Sequence, residues 1–234
     1  MIDPRYMRIY ERLLGAYGPR GWWPVTPPGE TAPRYTGGPR TPRQRFEVAA
    51  GAVLTQNTAW ANASRAIERL NALGAMSPAA IRNMGEGALA EAIRPAGYYN
   101  QKAKRLKILA AFFLEGGTRS RAALLALHGV GPETADSILL YAWNIPVFVI
   151  DAYTRRMFGR LGLVPESADY DEAQAAFAGN LPRRAGLYRE YHALIVEHGK
   201  RACKKVPVCK KCLLKTTCAL YLSCGKRTSI ARSG

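Results

Sequence analysis

The stretch LLALHGVGPETADSILLYA, residues 124–142, constrains this chain more than any other. Two apolar runs at helical spacing flank a turn that packs Gly129, Gly131 and Pro132 together. Glycine takes φ > 0 at no steric cost, and proline suits the first position of a helix. The pattern predicts helix, tight turn and helix over about 119–143. Backbone N–H groups of Gly129, Val130 and Gly131, and those leading to Thr134, would face outward at the positive end of the second helix. That arrangement is an anion site. On a duplex the anion is a phosphate, gripped without reading sequence. A bare Gly-x-Gly turn would equally suit plain helix packing. The full L-x-G-V-G-P-x-T-A pattern between apolar helices is more specific.

The rest of the chain reads as helix too. Ala, Leu and Arg recur at helical spacing, whereas alternating β-branched runs are scarce. Helices are predicted near 5–16, 45–55, 58–73, 78–84, 87–93, 100–115, 119–127, 132–143, 152–162, 168–179 and 186–201. Residues 19–44 are too rich in Pro and Gly for regular structure and read as a functional or surface-wrapping segment. An all-α protein follows. No apolar run approaches the ~18–20 residues that span a bilayer, and the N-terminus lacks the order of a signal peptide. The expectation is a cytoplasmic protein with no membrane partner.

Charge points to the partner. The formal net charge is +17, and an excess of this size suits a polyanion such as nucleic acid or an acidic membrane surface. A merely solvated Arg-rich surface would give the same sum. The distribution says more: from His198 onward there are ten Lys or Arg and no acid. Before residue 200 the lysines are Lys102, Lys104 and Lys107 alone. Against this background Glu133, an acid just inside the second hairpin helix, is out of place.

All five cysteines fall between 203 and 224. Four of them, Cys203, Cys209, Cys212 and Cys218, follow C-x5-C-x2-C-x5-C and can close around one metal centre. Spacing leaves tetrahedral zinc and a [4Fe–4S] cluster both open. Cys224 lies outside the pattern and reads as a spare thiol. Asp151, ahead of AYTRRMFGRLG, is most simply the N-cap of the helix that follows.

The hairpin together with VFVIDAY and YHALIVEHGKRAC resembles the helix-hairpin-helix DNA glycosylases related to endonuclease III. GWWP, FEVAAGAVLTQNTAW, RPAGYYNQKAKRLK and GVGPETADSILLYA are similar to the 3-methyladenine DNA glycosylase III branch of that superfamily. The resemblance implies a two-lobed all-α fold with a C-terminal iron–sulfur loop. One lobe would be a helical barrel over 37–145, and the other would join 1–36 to 146–234 with the cluster loop at 203–218. DNA and a flipped base would lie between the lobes.

The same resemblance implies the roles. Asp151 would be the catalytic carboxylate. Gln56, with Asn57 beside it, would fill the space left by the flipped base, and Lys102 would face the DNA backbone. The cysteines would hold [4Fe–4S] rather than zinc, and Lys204, Lys205, Lys210 and Lys211 would meet phosphates. Their first gap is one residue shorter than the family's usual spacing. The family's lyase lysine corresponds to Glu133, so the enzyme is expected to be monofunctional, leaving an abasic site. For a cationic alkylated purine, Trp22, Trp23 and Phe46 would form the base pocket, with Pro24 shaping its wall and Glu133 adding negative potential. The expected partner is double-stranded DNA with a damaged base, bound by a monomer. Two alternatives stand: an endonuclease III-like enzyme for oxidised, deaminated or mismatched bases, and a non-catalytic DNA-binding module.

Overall fold

The computed structural model describes residues 2–223. Its α-helices are α1 (Arg5–Tyr17), α2 (Pro42–Leu54), α3 (Trp60–Ala72), α4 (Pro78–Asn83), α5 (Glu86–Ala92), α6 (Tyr99–Leu114), α7 (Arg121–Leu125), α8 (Pro132–Ser137), α9 (Ala152–Leu161), α10 (Tyr170–Asn180) and α11 (Ala185–Arg201). Among the described residues there is no β-strand beyond an isolated bridge between Val25 and Arg34. None of these helices is long and apolar enough to cross a membrane. The fold is the all-α one expected. The chain divides into two units, one of residues 21–146 and one joining the segment up to Arg20 with that from Val147 onward.

In the unit 21–146, α2 is the central helix, with ten of its thirteen residues buried. A helix apolar on all sides belongs in a core. Its start is set locally: Thr41 and Gln44 form a reciprocal capping box around Pro42. Its small residues admit close neighbours, and a Cβ on Gly51 would lie 3.2 Å from the Trp23 ring. Helices α3, α6 and α8 pack around α2, and α4 and α5 pack on α6. The helix opened by Pro132 ends differently from expectation. After α8 it widens into a π-helical turn over Ile138–Ala142, all five residues of which are buried.

The Pro/Gly-rich segment belongs to this same unit, whereas the sequence reading grouped residues up to 36 with the C-terminal lobe. Thr26 explains why. It is fully buried, and its N–H and hydroxyl donate to the Glu47 carboxylate at 2.7 and 2.9 Å. Its hydroxyl accepts from Asn71 at 2.8 Å, and its carbonyl accepts from Gln44 at 3.1 Å. Polar pegs on α2 and α3 thus hold a segment that has no regular structure of its own.

The other unit packs α1 and α9 on α11, with α10 on α1. Its core is aromatic: Phe148 stacks on Phe177 with ring centroids 4.0 Å apart, and Tyr6 meets Phe177 edge-on at 5.2 Å. Asp169 and Glu172 form a capping box that starts α10, and Gly162 ends α9 in the left-handed conformation. Two arginines of α9 hold the cysteine loop. Arg156 donates to Cys203 O at 2.8 Å, and Arg160 donates to Lys204 O and Lys205 O at 2.6 and 2.7 Å.

Candidate functional site

In the unit 21–146 the hairpin runs from α7 to α8. Gly129 has φ +83°, the positive value the sequence required. A Cβ there would fall 2.3 Å from Arg105 Nε, so the glycine is fixed by a close approach as well as by backbone angle. Asp136, fully buried, pairs with Arg121 at 2.9 Å and ties the two hairpin helices together. Thr134 is buried and Glu133 is exposed.

The hairpin also holds Gln56. The Gln56 amide nitrogen donates to Gly129 O and Thr134 Oγ1, both at 2.9 Å. Its carbonyl oxygen accepts from Arg105 Nη1 at 2.6 Å. Asn57, beside it, is exposed with φ +52°.

Several candidates are placed differently from expectation. Lys102 is 1% exposed, and its Nζ donates to Leu54 O, Thr58 Oγ1 and Ala96 O at 2.8, 3.1 and 2.8 Å. It closes the C-terminal end of α2, where carbonyls lack helical partners, and does not present its ammonium to a DNA backbone. Burial, with the nearby charge of Arg105, pushes its pKa down to about 8. Phe46 is 1% exposed and meets Phe113 edge-on at 5.3 Å, so it is a core residue and no stacking wall. Trp23 and Pro24 are buried as well. Trp22 alone of that set is half-buried, and it gathers aromatic neighbours that the sequence reading missed: Trp60 at 4.9 Å and Tyr35 at 6.1 Å. Trp60 closes the VLTQNTAW segment already singled out. For Tyr35 the sequence carries no comparable signal.

In the other unit Asp151 caps α9, its Oδ1 accepting from Thr154 N at 2.7 Å. Its Oδ2 lies 3.5 Å from His192 Nε2, and the two side chains are only 12% and 10% exposed. Burial pushes the Asp151 carboxyl up. His192 and the N–H of Thr154 outweigh that effect, so the group titrates below its ordinary value and is a carboxylate at neutral pH. His192 is absent from the sequence reading, because nothing in YHALIVEHG marks which face of α11 meets Asp151.

None of the four cysteines of the loop forms a disulfide; Cys203 is buried and Cys209, Cys212 and Cys218 are half-buried. Burial pushes the Cys212 thiol up, and Cys203, Cys218 and Cys209 each raise it further, which puts all four in one electrostatic neighbourhood. Among the described residues no three His, Cys, Asp or Glu side chains form a group that could hold a metal ion. The donor chemistry of four thiols suits a thiolate-bound centre. Cys212 Sγ lies 3.3 Å from His198 Nε2, and the other ring nitrogen of His198 is 2.8 Å from the Tyr17 hydroxyl. Burial pushes the His198 pKa down to about 4, so the ring is neutral. Lys204, Lys205, Lys210 and Lys211 are all exposed. Cys224 lies outside the described residues.

The family model of the HhH-GPD superfamily base excision DNA repair proteins matches residues 50–183, more than half of the chain, and the chain belongs to that superfamily. A Methanocaldococcus jannaschii protein named as a DNA repair glycosylase is 46% identical over 224 residues, 90% of this chain and 94% of that protein. Endonuclease III of Sulfolobus acidocaldarius is 30% identical over 189 residues, 77% of this chain and 84% of its own length. Among solved structures, the H. pylori 3-methyladenine DNA glycosylase bound to 1,N6-ethenoadenine matches with TM-score 0.67 and 30% identity, covering 84% of this chain and 97% of that one. An endonuclease III trapped on DNA matches with TM-score 0.76 over 95% of this chain and 99% of that one. At 20% identity that is a likeness of fold. The chain is therefore a DNA glycosylase of base excision repair, of the endonuclease III type, a DNA-binding hydrolase acting on N-glycosyl bonds.

Proposed function

We propose that this glycosylase is monofunctional and releases alkylated purines such as 3-methyladenine, leaving an abasic site in an unbroken strand. The observation that carries the monofunctional reading is Glu133. It stands where the family resemblance puts the lyase lysine, and no lysine lies between Lys107 and Lys200. A carboxylate cannot form the Schiff base that lyase chemistry needs. Lys102, with three oxygen acceptors around its buried Nζ, offers no substitute amine.

Asp151 is the catalytic carboxylate of this reading. Cleavage of the glycosidic bond passes through an oxocarbenium-like state, which a fixed, ionised carboxylate stabilises while orienting the attacking water. An N3- or N7-alkylated purine is cationic and leaves readily, so selection can rest on stacking. Each desolvated aromatic face attracts such a cation by ~0.5–2 kcal/mol. Trp22, backed by Trp60 and Tyr35, supplies that surface, with Glu133 adding negative potential. The 30% identity to a 3-methyladenine DNA glycosylase supports this choice of substrate. The hairpin turn at Gly129, Gly131 and Thr134 grips a phosphate, without the buried Val130, whose N–H donates to Leu127 O at 3.0 Å instead of facing outward as the sequence suggested, and Gln56, with Asn57, enters the space of the flipped base.

Cys203, Cys209, Cys212 and Cys218 would hold a [4Fe–4S] cluster. Such a centre supplies a structural clip and a local field rather than a reacting atom. Arg156 and Arg160 orient the loop from α9, and Lys204, Lys205, Lys210 and Lys211 add phosphate contacts that make affinity salt-dependent. Iron and acid-labile sulfide in the purified protein are the expected finding, and stoichiometric zinc would contradict it.

Base release from duplexes carrying 3-methyladenine, 7-methylguanine, uracil, an oxidised pyrimidine or a mismatch tests the substrate. The alkylated purines should be released and the others spared. Release of uracil or oxidised pyrimidines instead would favour the endonuclease III-like alternative. Asp151→Asn should abolish release while DNA binding persists.

A further inference from the structure

The side chain of Gln56 is fully committed in the free protein. Gly129 O and Thr134 Oγ1 take its amide protons at 2.9 Å each, and Arg105 Nη1 donates to its carbonyl oxygen at 2.6 Å. Arg105 in turn lies against Gly129, close enough that a Cβ on the glycine would meet its Nε at 2.3 Å. One ring of contacts therefore joins the loop after α2, helix α6 and the hairpin.

The loop itself has little freedom. Lys102 bonds Leu54 O at one end and Thr58 Oγ1 at the other, at 2.8 and 3.1 Å. The backbone at one end of the loop and a threonine hydroxyl at the other are held by the same lysine, so movement is confined largely to the Gln56 side chain. To fill a vacated base position, an amide must present both its N–H donors and its carbonyl acceptor to the orphaned base. Here both are occupied by the hairpin and Arg105. Entry into DNA requires an exchange of partners.

A phosphate arriving at the hairpin turn provides one. It comes within reach of the arginine lying against Gly129, and an Arg–phosphate pair is charge-assisted and often bidentate. It is stronger than a guanidinium bond to a neutral amide oxygen. We propose that Arg105 is a positioning residue that latches Gln56 onto the hairpin in the free protein and lets it go when the hairpin takes a phosphate. Insertion of Gln56 thereby follows backbone grip. The inference rests on the reading of Gln56 as the inserting residue and of the hairpin as a phosphate site.

The test needs no chemistry. A duplex with a tetrahydrofuran abasic analogue opposite 2-aminopurine reports, by fluorescence, on the side chain that enters the gap. A set of such duplexes carries one methylphosphonate each, moved along the lesion strand, and the signal is read at saturating protein. For the wild type, one methylphosphonate position should diminish the insertion signal about fivefold or more, the scale of an ordinary coupling between sites. In Arg105→Ala the signal should no longer depend on the methylphosphonate. Thr134→Val, which removes one of the two acceptors holding the Gln56 amide, should weaken the dependence in the same direction. Unchanged dependence in both variants would overturn the latch, as would a wild-type signal indifferent to every methylphosphonate. Gln56→Ala separates the two levels: if it leaves the insertion signal intact, the assignment of Gln56 as the inserting residue fails, whatever Arg105 does.

Discussion

Two segments of this chain lack α-helix, the second carrying only short 3-10 turns at Cys209–Lys211 and Lys215–Thr217, and they are held in opposite ways. The Pro/Gly-rich segment around Thr26 is fastened by buried side chains of α2 and α3, with Glu47, Gln44 and Asn71 all bonded to one threonine. The cysteine loop is fastened through its backbone carbonyls, by Arg156 and Arg160 from α9. Lys204, Lys205, Lys210 and Lys211 are exposed, while Cys212 Sγ lies beside His198 Nε2 and Cys218 Sγ donates to Arg160 O, both at 3.3 Å. Polar pegs inside a core are a complete anchorage. Carbonyl contacts to two arginines are a lighter hold, and a metal centre on the four thiols, as proposed above, would add to it, because structural metal binding is itself folding free energy. The first segment is held by the protein alone; in the [4Fe–4S] reading proposed above, the second would be held by its cofactor as well.

Cys212→Ser should therefore produce the largest effect. Hydrogen exchange of residues 203–218 should rise strongly, and affinity for DNA should fall with a shallower salt dependence, while residues 21–40 remain protected. Equal loosening of both segments would erase the contrast. Thr26→Val probes the other side. It removes the hydroxyl that Glu47 and Asn71 share, at about 1–3 kcal/mol, while the Thr26 N–H still bonds Glu47 and the Asn71 amide still bonds Thr31 O, and should speed exchange in residues 21–40 while sparing the loop.

The smallest effect is one of pH, and it sets two buried acids against each other. Burial raises the Glu47 pKa, with the bonds from Thr26 offsetting it only in part. Its ionisation thus opposes folding above the raised value, and that penalty fades as pH falls through it. Asp151, with a lowered pKa, adds stability above the ordinary carboxylate range and loses it as pH falls through the folded value. Glu47→Gln should accordingly steepen the loss of stability on acidification, by removing the term that runs against it, and Asp151→Asn should flatten it. Thermal melts across the acid range read both changes of slope relative to the wild type, and changes of the same sign in the two variants would contradict the assignment.

What could be read from the sequence was what depends on neighbours in the chain. Helix starts were legible to within a few residues: the helix near 78 begins at Pro78 as read, whereas α2 begins at Pro42 inside the segment read as irregular, although Thr41, Pro42 and Gln44 carry its cap. The hairpin was legible through Gly129, and Asp151 through its place ahead of α9. Illegible were contacts between distant segments: Thr26 with Glu47 and Asn71, Gln56 with Arg105, and His192 with Asp151. The same limit misplaced Lys102 and Phe46. A lysine or phenylalanine on an amphipathic helix reveals its face only when the packing partners are known. Glu133 is the exception, informative as a residue type alone, since an acid cannot do a lysine's chemistry.

The most direct test of that point follows base release and strand cleavage together, on a duplex with a single 3-methyladenine. The account predicts free base accumulating while the strand stays whole until heated in alkali. Strand breaks appearing in step with base release, without alkali, would show an amine doing lyase chemistry despite Glu133 and would contradict it.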